Sequence, residues 1–254
     1  MLFDTHAHFD DSQFDNDRDA TIESLKDFGV TNVVNIGADM QGSRDSIALA
    51  DKYDFIYASV GVHPHEVENM TEDDIDTLRN LAKHPKVKAI GEIGLDYHYE
   101  DGTDPETQKK WFIRQLELSK ELNMPVVIHD RESKGECLEI LKEHNISNGV
   151  VHCFSGSAET AKEILKLGMM ISFTGVLTFK NARRAIEACA QIPIERLMIE
   201  TDCPYMAPEP HRGERNFSGY VEFVARKIAE IKGMTFEDVA AITTENAKKF
   251  YGII

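Results

Sequence analysis

The chain has 254 residues, with 28 Lys and Arg against 44 Asp and Glu and a formal charge of −16. That balance repels nucleic acid and anionic membranes at long range, so it excludes a protein that grips duplex DNA through a broad basic face; an anionic substrate has to be captured locally. Cys137, Cys153, Cys189 and Cys203 form no C-x-x-C pair and are too sparse for a disulfide framework, which predicts a reducing, cytoplasmic home.

Asp4 comes too early for the apolar region of a signal peptide. The longest uncharged stretch, Leu167 to Phe179, is broken by Gly168 and Gly175 and falls short of the ~20 residues a membrane span needs. The expectation is a protein neither exported nor embedded.

Eight short runs rich in apolar and β-branched residues follow in chain order: "LFDTHAHF", "TNVVNIGA", "FIYASVGVH", "VKAIGEIGLD", "MPVVIHDRE", "GVVHCFSG", "MMISFTGV" and "RLMIETDC". Helical segments separate them. In "PETQKKWFIRQLELSKELN", Trp111, Ile113, Leu116, Leu118 and Leu122 supply an apolar side. Thr71 before "EDD" and Ser157 before "AETAKEILKLG" read as N-caps, and Gly168 as a helix stop. Near-continuous apolar strands alternating with helices predict a parallel sheet covered on its outer face, and eight is the number that closes into a (β/α)8 TIM barrel. A doubly wound open sheet is the alternative. No linker or repeat interrupts the pattern, so residues 1–254 read as one domain. The final segment splits near Gly233 into two helices that should wrap the outer ring.

In such a barrel the reactive groups sit at the C-terminal ends of strands. Run one ends in His6 and His8, run three in His63 and His65, run four in Glu92 and Asp96, run five in His129 and Asp130, run six in His152, and run eight in Glu200 and Asp202. On an extended strand residues i and i+2 point the same way, so both imidazoles of "HAH" can reach one ion. His129, His152 and Glu92 each follow or sit within a run that should be buried, where ionisable groups are costly unless paired or metal-bound. Imidazoles mixed with hard carboxylates, in excess of one structural zinc site, suit two divalent ions with open water positions. Such a pair serves hydrolysis of a phosphodiester, ester or amide, and the absence of a cysteine among these ligands argues against redox chemistry.

Weaker signals surround this set. His63 and His65 in "GVHPHE" suit substrate contact or support of the ligands, and equally an ordinary loop. "DDSQFDNDRD" lacks EF-hand spacing and reads as a solvated loop capping a helix. Arg131 after run five, and His211, Arg212 and Arg215 in "PHRGERN", are candidates for substrate contact; guanidinium groups there can hold a phosphate in bidentate fashion or simply pair with surface acids.

"FDTHAHFD", "GVHPHE", "AIGEIGLDY", "PVVIHDRE", "VHCFSG", "IETDCPYMAP" and "PHRGERN", in this order across nearly the whole chain, resemble the TatD family of metal-dependent deoxyribonucleases among the amidohydrolase-like barrel enzymes. The resemblance implies a (β/α)8 barrel with two metal ions. His6 and His8 would bind one, His129 and His152 the other, and Glu92 would bridge them. Asp202 would complete the first site and orient or deprotonate the attacking water, with His63 near the substrate. The implied activity is hydrolysis of DNA, often from a 3′ end with a preference for single strands. Mg2+ or Mn2+ are the implied working ions, with Zn2+ or Ni2+ able to occupy the site. Cys203 stands where the family commonly has serine, which places a soft ligand beside the site, and "NFSGYV" lacks a proline often found there. Two other functions use the same residues: an amide or ester hydrolase acting on a small or acyl-nucleic-acid substrate, and a catalytically silent metal-dependent binding protein.

Overall fold

The apolar runs become strands because each is buried on both faces, the condition of a covered parallel sheet. A computed structural model describes residues 1–99 and 101–253. The strands are β1 (Leu2–Ala7), β2 (Val30–Ile36), β3 (Ile56–Val60), β4 (Val87–Asp96), β5 (Val126–Arg131), β6 (Gly149–Val151), β7 (Met170–Phe173) and β8 (Leu197–Ile199). Helices α1 (Arg18–Ser24), α2 (Met40–Lys52), α3 (Glu72–Leu81), α4 (Pro105–Leu122), α5 (Glu136–Glu143), α6 (Ala158–Lys166) and α7 (Arg183–Gln191) alternate with them, and α8 (Val221–Lys232) and α9 (Phe236–Tyr251) follow β8. The eight strands make one sheet in the order β1 to β8. Parallel strands in unbroken sequential order give a (β/α)8 TIM barrel; a doubly wound sheet would reverse its order partway along.

The chain divides into two compact units: Met1–Asn35 with Cys153–Lys166 and Met170–Ile254, and Ile36–His152 with Leu167–Met169. In the first, β1 pairs with β2 and β7 with β8, and Ala7 bridges Cys203 beyond the end of β8. Helix α9 starts at Thr235, whose hydroxyl accepts the Asp238 N–H at 3.1 Å, and stops at Gly252 with φ +61°. It packs on β1, where the Tyr251 hydroxyl donates to Thr5 O at 3.2 Å. Gly233, with φ +64°, ends α8 where the sequence predicts the split.

In the second unit β3, β4, β5 and β6 pair in turn. At α3, the Asp74 carboxylate accepts both the Thr71 N–H and the Thr71 hydroxyl at 2.8 Å. Helix α4 departs from expectation on its buried face. The stripe runs through Gln108, Trp111, Phe112, Gln115, Leu116, Leu118 and Ser119, while Ile113 and Leu122 stand half-buried at its margin. Two glutamines thus occupy core positions on an otherwise apolar stripe. Each closes the backbone at or just beyond the C-terminal end of a strand. Gln115 accepts the Val62 N–H at 2.8 Å and donates to Val62 O at 3.0 Å; Gln108 does the same for Asp96, both bonds at 2.8 Å. A side-chain amide supplies there the donor and acceptor that a neighbouring strand would otherwise provide.

Candidate metal centre

His6 lies on β1 and His8 one residue beyond its end, and the strand's alternation brings their Nε2 atoms within 3.1 Å of each other. The chain leaving β8 delivers Asp202, whose Oδ1 stands 3.6 Å from His6 Nε2 and 3.5 Å from His8 Nε2. Its placement is fixed by backbone bonds: Asp202 N–H donates to His6 O at 2.9 Å, and His8 N–H to Cys203 O at 2.8 Å. Asp202 has φ +57°, a left-handed conformation that aspartate visits more readily than most residues and that is held only where surroundings impose it.

Those surroundings are polar and buried. Asp4 accepts the Thr201 N–H at 2.8 Å and the Thr201 hydroxyl at 2.5 Å, and Asn216 Nδ2 donates to Thr201 O at 2.9 Å. Burial pushes the Asp4 carboxyl up to about 7, against the pull of hydrogen bonds from Ser218 and Thr201. Cys203 is also fully buried, and burial together with the Asp4 charge pushes its thiol upward.

In the second unit Glu92, His129 and His152 converge. Glu92 Oε1 lies 2.7 Å from His129 Nδ1 and 2.6 Å from His152 Nε2, and the two nitrogens are 3.2 Å apart. The register that pairs Gly94 with His129 makes this approach possible: Gly94 has φ +152°, and a Cβ there would stand 1.9 Å from His129 O. His129 turns its other nitrogen to Asp96, with Nε2 3.0 Å from Oδ2. Burial opposes ionisation of Asp96, but hydrogen bonds from His129 and His98 N–H and the nearby imidazole charges outweigh it and bring the carboxyl down to about 2. Burial likewise opposes a charged His129, and its hydrogen bonds to Asp96 and Glu92 reverse that, leaving it above the usual histidine range.

His63 packs ring to ring against His129, with centroids 4.5 Å apart, and against His65 at 4.9 Å. Burial and the neighbouring His129 charge push its imidazole down to about 3, so it is neutral at physiological pH. His65 Nε2 lies 3.4 Å from Asp96 Oδ2, and Arg131 Nη1 lies 4.0 Å from the same oxygen. The "PHRGERN" side chains are committed within their own unit. Arg215 makes a bidentate pair with Asp17, at 2.7 and 2.6 Å, and lies over the Phe14 ring. Arg212 covers the Phe179 ring at 3.8 Å, and His211 stacks on Tyr220 at 4.0 Å while pairing with Glu214.

The donor sets fit divalent ions. Ligand bonds of ~2.1 Å put neighbouring donors roughly 3 to 3.4 Å apart in octahedral or tetrahedral geometry. His6, His8 and Asp202 show 3.1, 3.5 and 3.6 Å, two of them slightly beyond that range, and Glu92, His129 and His152 show 2.6, 2.7 and 3.2 Å, two of them below it, so each set comes within small side-chain shifts of holding an ion. Imidazole and carboxylate donors together suit Zn2+, Mn2+ and related ions. Sequence reasoning put Asp96 at a strand end without a role and overlooked Gln108, Gln115, Asp4 and Asn216. A pair of glutamines seven apart on an apolar helical stripe is the signal that marks the first two.

A family model described as TatD related DNase matches residues 3–252. The chain is 46% identical to the "uncharacterized metal-dependent hydrolase YabD" of Bacillus subtilis (strain 168), covering 100% of both. It is 33% identical to the "3'-5' ssDNA/RNA exonuclease TatD" of Pectobacterium parmentieri (strain WPP163), over 98% of this chain and 99% of the other. The crystal structure of YJJV, a TatD homolog from Escherichia coli K12, superposes with a TM-score of 0.94 at 28% identity, covering 100% of this chain and 98% of the other.

Proposed function

The chain belongs to the TatD family of metal-dependent hydrolases, and on that premise we propose that it is a deoxyribonuclease that removes nucleotides from single-stranded ends in the 3′ to 5′ direction. The observation that carries the reading is the pair of buried ligand sets, His6, His8 and Asp202 in one unit and Glu92, His129 and His152 in the other, each spaced to hold one divalent ion. Mg2+ or Mn2+ are the proposed working ions, and Zn2+ or Ni2+ fit the same donors. A bound divalent ion supplies Lewis acidity toward a phosphoryl oxygen and lowers the pKa of water.

The protein residues do the rest. Asp202 takes a proton from the attacking water as its oxygen bonds to phosphorus; the phosphodiester bond to the leaving nucleotide oxygen breaks, and that oxygen gains a proton from solvent. The imposed backbone of Asp202 keeps its carboxylate beside His6 and His8 while this happens. Neutral His63 and the cation Arg131 are proposed to contact the substrate beside His129. His65, His211, Arg212 and Arg215 belong to the same proposal in a lesser role, since Arg215 is already paired with Asp17. The 3–252 span of a single family model supports residues 1–254 acting as one hydrolase domain.

A net charge of −16 calls for local capture of a strand end, so binding should be weak and salt-sensitive and cleavage strictly dependent on added divalent metal. End-labelled single- and double-stranded DNA, incubated with metal-replete protein and an Asp202→Asn variant beside a panel of esters and amides, tests the reading. Single-strand cleavage lost in the variant supports it. Ester or amide turnover without DNA cleavage replaces it with the deacylase alternative.

A further inference from the structure

A run of aromatic rings leads from the ligand His129 to the protein surface within one unit. His129 meets His63 at 4.5 Å and 71°, His63 meets His65 at 4.9 Å and 76°, and His65 meets Tyr99 at 5.1 Å and 72°. Tyr99 ends the run half in solvent, at 52% exposure, and among the described residues it is the one large apolar side chain of its unit that is exposed.

Hydrogen bonds and ring contacts among described residues surround Tyr99. Gly102 N–H donates to Tyr99 O at 3.2 Å, the Thr103 hydroxyl donates to His65 O at 3.2 Å, and Gln108 Nε2 holds Thr103 O at 2.7 Å. His98 sets its ring edge to Tyr99 at 4.9 Å while its Nδ1 lies 2.7 Å from Glu132 Oε1. The Arg131 guanidinium carbon lies 5.3 Å from the Tyr99 ring centre. A held ring beside a cation offers a π surface to a planar group and a positive charge to a phosphate next to it.

We infer that Tyr99, with Arg131 and His65 around it, is a stacking platform for an unpaired nucleobase of the strand whose phosphodiester lies at His129. This deepens the nuclease reading and rests on it. Stacking also answers the charge problem: a protein of net charge −16 gains from it an attraction that neither salt nor its own field weakens, and one that accepts every base.

The test compares wild type, Tyr99→Ala, Tyr99→Phe and Tyr99→Trp, loaded with Mn2+, on two single-stranded oligonucleotides. One carries bases throughout and the other has tetrahydrofuran abasic residues at the terminal positions of both ends. The platform predicts a KM raised roughly five- to a hundredfold by Tyr99→Ala on the base-bearing strand, with Phe and Trp restoring it, and no further loss on the abasic strand, which wild type already binds poorly. A second readout needs no turnover: the chain has a single tryptophan, the buried Trp111, so fluorescence from Tyr99→Trp reports the platform and should be quenched by the base-bearing strand alone, in EDTA as well. Equal KM changes on both strands, or no quenching, overturn the platform and leave the nuclease standing. Wild type that cleaves neither strand removes the nuclease reading and the platform with it.

Discussion

His129 Nε2 lies 3.0 Å from Asp96 Oδ2, while its Nδ1 lies 2.7 Å from Glu92 Oε1. One ring therefore has a carboxylate at each end. The pair with Asp96 fixes which nitrogen faces Glu92 and His152, and a carboxylate behind a histidine ligand raises its basicity. Asp96 is itself immobilised by the His98 N–H at 2.9 Å and, through its backbone, by Gln108. Asp96→Asn keeps the shape and removes the charge. It should weaken divalent-ion binding at the Glu92, His129 and His152 set by about 10- to 100-fold, read by calorimetric titration of metal-stripped protein with Zn2+ or Mn2+. Unaltered affinity would mean that Asp96 serves the fold alone.

The Gln115 amide satisfies both backbone groups of Val62, and all the partners are buried. Gln115→Leu fits the apolar stripe of α4 but leaves a buried N–H and C=O unpaired, which costs about 1–3 kcal/mol for each such group. Urea denaturation should show a loss of that order with an unchanged m-value. Because Val62 precedes His63, the proposed nuclease activity should fall as well. A neutral stability effect would show that water replaces the amide.

His6 and His8 share a unit with Asp202, whereas Glu92, His129 and His152 lie in the other. Each set brings three donors to one point, so each should hold its ion by itself. His6→Ala should lower the metal content of dialysed protein by about one equivalent per chain, while His129→Ala removes the other equivalent. Elemental analysis against protein concentration checks this. Loss of both ions in either variant would mean that the two sets bind as one.

The eight strand positions, and the ionisable groups at the ends of several of them, were legible because both have strong local signals within a few residues of chain. Gly233 and Thr71 marked helix boundaries for the same reason, since their roles are decided within a few residues. The residues that hold the ligands in place were not legible. Asp4 meets Thr201, and Asn35 the Phe9 N–H at 2.6 Å, across separations no periodicity encodes. The buried face of α4 differs from the apolar pattern at Ile113 and Leu122, which stand half-buried, because Gln108 and Gln115, which apolar periodicity does not register, take core positions. The roles of Arg131 and Arg215 depended on partners, Asp96 and Asp17, that lie far from them in the chain.

Arg215 and Asp17 join the "PHRGERN" loop to the segment after β1. The guanidinium also donates to Gln13 O at 2.7 Å, and the next residue, Asn216, holds Thr201 O beside Asp202. The Arg215 hydrogen bond, more than its charge, holds the Asp17 carboxyl below its ordinary value, with desolvation working the other way. A depressed carboxyl pKa stabilises the fold fully above the unfolded value of about 3.9, and that contribution disappears as pH falls through the lower folded value. Asp17→Asn should therefore lower the melting temperature near neutral pH, and the gap from wild type should close as pH drops below about 4. Both side chains reach solvent, so about 0.5 M salt should narrow the gap too. A gap that persists unchanged in acid and in salt would assign the stabilisation to packing of Arg215 over Phe14, at 4.5 Å, instead of to the ion pair.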